Sequence, residues 1–142
     1  MERMDASMDC KIFISHSYKN TCSYKKLLKL LKQSKSINYI NYSLPKPSYI
    51  ITKNQFDQKQ IEQRIINKIE ASDFIFVIIH KSIIGRPWIE FEVRESQKRN
   101  KMILGIQDEK GGFCQNYILN HVDAVVDWDI DLIDCFVSGV KN

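Results

Sequence analysis

Residues 73–106 read "DFIFVIIHKSIIGRPWIEFEVRESQKRNKMILGI". The opening stretch, 73–80, is apolar almost throughout, which a strand accommodates only where both of its faces are covered. The closing stretch, "KMILGI" at 101–106, has the same character. Between them a Gly-Arg-Pro turn leads into a charged segment of helical pattern, and Pro87 fits the first helical position, where an N–H would have no helical partner anyway. A buried strand, a helix and another buried strand make one unit of a parallel sheet, because parallel neighbours need a crossover between them.

The rest of the chain extends this alternation. "CKIFIS" (10–15) reads as a buried strand, and "SYKKLLKLLKQ" (23–33) places Tyr24, Leu27, Leu28 and Leu31 on one helix face. "INYINYSL" (37–44) is a second strand, ended by "PKPSYIITKNQ" (45–55), whose prolines block both helix and central strand. "QKQIEQRIINKIEAS" (58–72) carries Ile61, Ile65, Ile66 and Ile69 on one face of an amphipathic helix. A short helical piece around 113–121, a weak strand at "AVVDW" (124–128) and a terminal helix at "DLIDCFVSG" (131–139) complete the chain. The expected fold class is α/β: a flavodoxin-like, five-stranded parallel sheet in the order 2-1-3-4-5 with helices on both faces. The expected organisation is one domain over 1–142, beginning with a polar segment at 1–9, without repeats, linkers or low-complexity stretches.

Composition narrows the function. The formal charge of +4 is uneven: residues 1–70 hold 13 Lys/Arg against 6 Asp/Glu, and residues 71–142 hold 8 against 11. Halves of +7 and −3 suit an anionic ligand or a head-to-tail association better than nucleic-acid coating, and a lysine-rich solvated helix explains them as well. No apolar run approaches a membrane span, so no membrane partner is expected. The opening "MERMDASMDC" lacks the basic start and apolar stretch of a signal peptide, giving a cytoplasmic expectation. Cys10, Cys22, Cys114 and Cys135 have no metal-ligand spacing and read as reduced thiols.

Ligands of such sheets bind outside the carboxyl ends of the strands. The loops there read "SHSYKN" (15–20), "NYSLPKPSY" (41–49) and "HKSIIGRPW" (80–88), rich in hydroxyl, amide, imidazole and aromatic groups. They lack the glycine-rich phosphate cradle of P-loop or dinucleotide motifs and the clustered aspartates of a receiver domain. Helical geometry then separates two glutamates. Glu90 meets Arg86 at i−4 and Arg94 at i+4, as a solvated ion-pair residue would. Glu92 meets Trp88, Ile89, Glu95 and Ser96, with no cation in reach along the helix. Partial burial and a like charge favour its protonated form while the helix N-terminus opposes this, which makes it a functional candidate beside the plainer reading of a first-turn carboxylate that complements the dipole.

The segments "KIFISHSYKN", "INYINYSLPKPSY", "IEQRIINKIEASDFIFVII" and "RPWIEFEVRESQKRNKMILGI" together resemble the TIR-like domains of bacterial anti-phage defence, in particular the TIR component of Thoeris systems. The telling element is Trp-x-x-x-Glu at the start of a helix after the third strand, here Trp88 to Glu92. The resemblance implies an enzyme that cleaves the nicotinamide–ribose bond of NAD+, with Glu92 as its catalytic residue, no metal and no cofactor beyond NAD+ as substrate. It further implies self-association through TIR–TIR contacts and activation by a phage-derived component. The product would be a cyclic ADP-ribose isomer or related conjugate that reaches a downstream effector as a nucleotide signal.

Under the same resemblance, Ser15, His16, Ser17 and Tyr18 line the nicotinamide-ribose pocket, Tyr42 and Ser43 end the second strand beside it, and "LPKPSY" (44–49) is the loop of inter-subunit contact. His16 is a general base or a packing residue, Trp88 stacks on substrate or anchors the helix, and Lys46 meets a phosphate or water. Two rival functions stand: a non-catalytic TIR-like interaction module, and an enzyme like the nucleoside deoxyribosyltransferases, whose glutamate also acts at an anomeric carbon.

Overall fold

The computed structural model describes residues 8–16, 21–43, 55–80, 87–108 and 116–141. Its strands are β1 (Met8–Ser15), β2 (Ile37–Asn41), β3 (Phe74–Ile79), β4 (Met102–Gln107) and β5 (Ala124–Val126). Its helices are α1 (Thr21–Leu31), α2 (Gln55–Ala71), α3 (Pro87–Lys98), the single turn α4 (Asn116–Leu119) and α5 (Ile130–Lys141). All strand pairs are parallel, in the order β2-β1-β3-β4-β5 expected from the sequence.

β3 is buried at every residue, and its side chains divide by simple alternation. Phe74, Phe76 and Ile78 join Ile12, Ile14, Leu104 and Ile106 in a core closed by Leu27 and Leu31 of α1 and by Ile133 and Val137 of α5. Ile75, Val77 and Ile79 join Phe13 and Ile103 in a second core, closed by Ile65 and Ile69 of α2 and Ile89 and Val93 of α3. Each such side chain contributes about 1.5–3 kcal/mol of burial, which is why one apolar run determines a three-layer arrangement.

Several bounds differ from the sequence reading. β1 starts at Met8 rather than Cys10, because Met8 and Asp9 pair with Ile37 and Asn38 of the edge strand β2. Asp9 accepts a hydrogen bond from the Asn38 side chain at 3.0 Å, which suits a polar residue on an exposed strand start. β2 ends at Asn41, although the Tyr42 N–H still donates to the Ile12 carbonyl at 2.7 Å.

The helix ends have identifiable stops. α3 closes with Asn100 at φ 56°, the Asn100 N–H on the Gln97 carbonyl and the Lys101 N–H on the Ser96 carbonyl, both at 3.0 Å. That is the left-handed cap in which asparagine can replace glycine. The Lys101 ammonium meanwhile donates to the carbonyls of Glu70 and Ser72, at 3.1 and 2.8 Å, tying the end of α2 to the start of β4. Asp129 caps α5 by accepting from the N–H groups of Asp131 and Leu132.

Candidate active site

The carboxyl ends of β1, β3 and β4 lie side by side, and α3 lies against this sheet on the β3 and β4 side. With α3 beginning at Pro87, the face that carries Ile89, Val93 and Ser96 turns inward, and Glu92 shares it. Glu92 is only 1% exposed, so its burial is nearly complete rather than partial. Its Oε1 accepts a 2.5 Å hydrogen bond from Ser15 Oγ at the end of β1, itself fully buried. The length belongs to the short hydroxyl–carboxylate class.

The like charge expected at i+3 is paired elsewhere. The i+3 residue Glu95 is gripped by Arg99 at 2.7 Å and Lys98 at 3.2 Å, and Arg99 also meets Glu70 at 3.1 Å. Burial pushes the Glu95 carboxyl upward, but the hydrogen bonds from Arg99 and Lys98 outweigh it and leave the group below its ordinary range. The i+4 residue Ser96 turns its hydroxyl back to the Glu92 carbonyl at 2.6 Å, an ordinary helical bond for a buried serine.

Glu90 is partly buried, and within 4 Å no ion pair joins it to Arg94 among the described residues. Arg94 lies instead with its guanidinium 5.9 Å from the Phe91 ring centroid. The expected i, i+4 pair is therefore not formed, and Arg86, its other expected partner, lies outside the described residues. Trp88 packs on the α2/α3 core and meets Phe91 edge-on, at 5.7 Å and 83°, in an anchoring position.

The remaining expected site residues divide by strand alternation. Ser15 turns to the Glu92 face. His16, one residue on, is 3% exposed and lies flat against Tyr24 of α1, at 4.1 Å and 4°, on the opposite face of the sheet. Ser43 Oγ accepts from the Ile14 N–H at 2.8 Å, and the Ser43 N–H donates to the Asn41 side chain, so this serine ties the end of β2 to β1. The Tyr42 ring has the ammonium groups of Lys11 and Lys68 at 5.9 and 5.2 Å from its centroid. Ser17, Tyr18, Lys46 and the rest of "LPKPSY" lie outside the described residues.

One residue escaped the sequence reading. Asp108, directly after β4, is 6% exposed and accepts a hydrogen bond from Ser23 Oγ in the first turn of α1. The carboxyl-end rule, applied above to the first three strands, picks out Asp108 once it is applied to the fourth.

Among the described residues no cluster of three or more His, Cys, Asp or Glu is arranged to hold a metal ion, and no helix is long and apolar enough to cross a membrane. Of the cysteines, Cys10, Cys22 and Cys135 form no disulfide among the described residues, and Cys114 lies outside them. A cavity of about 320 Å³ lies between α1 and β2, lined by Leu28, Lys32, Tyr39 and Asn41 among others, on the side of the sheet away from Glu92. The arrangement at Glu92 offers a buried carboxyl group, hydrogen-bonded by the Ser15 hydroxyl, at the sheet edge where ligands of such folds bind.

Comparison with known proteins bears on that site. A family model described as the TIR-like domain of the Thoeris protein ThsB matches residues 13–111, a span that includes Ser15, Trp88, Glu92 and Asp108. No curated protein matches the chain. A solved conserved protein from Enterococcus faecalis V583 is similar in fold, with a TM-score of 0.63 at 14% identity over 91% of this chain and 96% of that one. A 2-deoxyribosyltransferase from Bacillus psychrosaccharolyticus is also similar, with a TM-score of 0.55 at 15% identity over 83% of this chain and 87% of that one. At such identities these likenesses concern the fold alone.

Proposed function

Since the chain belongs to the family of Thoeris ThsB TIR-like domains, we propose that it is an NAD+ nucleosidase and cyclase of anti-phage defence, with Glu92 as the catalytic residue. The observation that carries this reading is the 2.5 Å bond from Ser15 to Glu92, which fixes a buried carboxylate at the ligand-binding edge of the sheet. Nicotinamide in NAD+ is already a cationic leaving group and needs no proton to depart. The barrier is mainly charge development at ribose C1′, which a nearby carboxylate stabilises electrostatically or by holding the ribose hydroxyls.

Cyclisation then requires that a hydroxyl of the same ADP-ribose lie closer to C1′ than water does, a matter of proximity and water exclusion. The product on this reading is a cyclic ADP-ribose isomer or related conjugate. It signals to a separate effector, after activation by a phage-derived component, in the cytoplasm. Ser15 orients the carboxylate, and Ser43 and Trp88 support the pocket by holding β2 to β1 and anchoring the first turn of α3.

The decisive experiment is mass spectrometry of small molecules from phage-infected cells that express the chain or its Glu92→Gln variant. A nucleotide present only with the former supports the proposal and identifies the product. Purified protein, activated by extract from infected cells, is then incubated with NAD+ and separately with deoxynucleosides. Base exchange on deoxynucleosides without NAD+ loss would replace the proposal with a deoxyribosyltransferase. Defence that persists in Glu92→Gln would replace it with a non-catalytic interaction module.

A further inference from the structure

Five of the buried polar residues, Ser15, His16, Ser23, Glu92 and Asp108, gather at one edge of the sheet, and they are joined. Ser15 donates to Glu92 at 2.5 Å. The next residue, His16, is stacked on Tyr24 at 4.1 Å. Tyr24 follows Ser23 in the first turn of α1, and the Ser23 hydroxyl donates to Asp108. The Tyr24 hydroxyl is held in turn by the Asn41 side chain at 2.7 Å. A continuous line of contacts therefore runs from the end of β4, across the start of α1, to the end of β1 and on to Glu92.

The end of β1 needs such support. On the β2 side its strand pairing stops at Ile12 opposite Asn41, and on the β3 side it stops at Ser15 opposite Val77. Ser15 is thus held by β3 on one side and, through the Ser43 hydroxyl on the Ile14 N–H, by the end of β2 on the other, whereas the next residue, His16, lies beyond both pairings and is held by side-chain contact. That contact is its stack on Tyr24, whose position is set by the first turn of α1.

We propose that Asp108 is a positioning residue for the reaction at Glu92. By accepting the Ser23 hydroxyl it fixes the start of α1, which through the Tyr24–His16 stack fixes the end of β1 and hence the hydroxyl that orients the carboxylate. The proposal rests on the reading of Glu92 as the catalytic residue, but the coupling between Asp108 and His16 can be measured without turnover.

The test uses the full chain with Ser23→Ala, Asp108→Leu and Asp108→Asn. The imidazole resonances of His16 are followed by NMR, with those of His121, beyond α4 near the opposite edge of the sheet, as the internal control. Ser23→Ala and Asp108→Leu should both move the His16 signals and leave those of His121 in place. Asp108→Asn, which keeps an accepting oxygen, should return them toward wild type. In NAD+ cleavage the first two variants should lose about tenfold in kcat with KM held within about twofold, and their double variant should be no worse than either alone.

Unmoved His16 signals in folded Ser23→Ala and Asp108→Leu would overturn the proposal. So would an Asp108→Asn as damaging as Asp108→Leu, or a loss confined to KM, which would make Asp108 a direct substrate contact. NAD+ left intact by activated wild-type protein would overturn the reading of Glu92 and the positioning role built on it, whatever the His16 signals show. Those signals would still decide whether Asp108 and the end of β1 are coupled.

Discussion

Ser15 and Glu92 are 77 positions apart in sequence and 2.5 Å apart at their side-chain oxygens, both almost completely buried. The serine ends a strand and the glutamate sits in the second turn of a helix, so their meeting depends on how α3 is laid across the sheet. A hydroxyl donating to the Glu92 carboxyl fixes the direction of that group. That is what stabilising a cation on one particular carbon requires.

Glu92→Gln should abolish NAD+ consumption, by at least about a hundredfold, because the amide keeps the shape and loses the charge that stabilises the developing cation. Glu90→Gln should change turnover by no more than about twofold, since Glu90 lies off the buried face and no ion pair joins it to Arg94 among the described residues. Single-turnover assays of both variants, with circular dichroism as the check on folding, measure the difference. An essential Glu90 beside a dispensable Glu92 would refute the helical-face assignment.

Ser15→Ala should act on both stability and rate. It removes a donor from a carboxylate that stays buried, at a cost of about 1–3 kcal/mol in urea unfolding. Turnover should fall with it, because the carboxylate loses its fixed direction. The Ser15→Ala/Glu92→Leu double variant should be less destabilised than the Ser15→Ala and Glu92→Leu changes added together, since each removes the same bond. Additive losses would mean that the bond contributes nothing to the fold.

Much of this was legible in the sequence, for identifiable reasons. The run at 73–80 could be buried on both faces only in a parallel sheet, and the rest of the topology follows from that strand and its crossovers. Glu92 was separable from Glu90 because Pro87 sets where α3 begins, and the inward face follows at 3.6 residues per turn. Its donor was not separable. Ser15, His16, Ser17 and Tyr18 form one polar run, and choosing among them needs the strand's alternation together with the register that pairs Ser15 with Val77. The Arg94 guanidinium shows the limit from the other side: spacing allowed a bond to Glu90, while an aromatic ring one turn away was an equally local partner. Asp108 needed only a consistent use of the strand-end rule, whereas its bond to Ser23 is a tertiary fact.

Stability should fall as pH rises past about 10, and Tyr39 should account for part of that slope. The Tyr39 hydroxyl donates to Asp134 at 2.7 Å, while Ser34 donates to the other oxygen of the same carboxylate at 2.8 Å. Burial, and then the hydrogen bond to Asp134, push the phenol far above its ordinary value of 10.0. Above that pH an unfolded chain releases the proton that the folded one retains. The folded state then binds more protons, and stability declines as pH increases. Tyr39→Phe should flatten the decline in urea midpoints between about pH 9 and about pH 11, relative to wild type. An unchanged slope would mean that the phenol ionises as readily in the folded chain as in the unfolded one.

Turnover should also require assembly. The charge division read from the sequence appears at the surface of α1, where Lys25, Lys26, Lys29 and Lys32 are exposed, and around β5 and the start of α5, where Asp123, Asp127, Asp129 and Asp131 are exposed. Surfaces of unlike charge favour head-to-tail contact between copies, which a heterologous interface can repeat. The family resemblance read from the sequence makes "LPKPSY" the loop of contact between copies, and we propose that this contact completes the site. Lys46→Glu should then reduce NAD+ turnover without lowering the urea midpoint, and the loss should deepen on dilution. Wild-type activity per subunit should itself fall across a dilution of about a hundredfold and recover on concentration, as mass action requires. Activity per subunit that stays constant through that dilution, with Lys46→Glu as active as wild type, would mean that each copy carries a complete site.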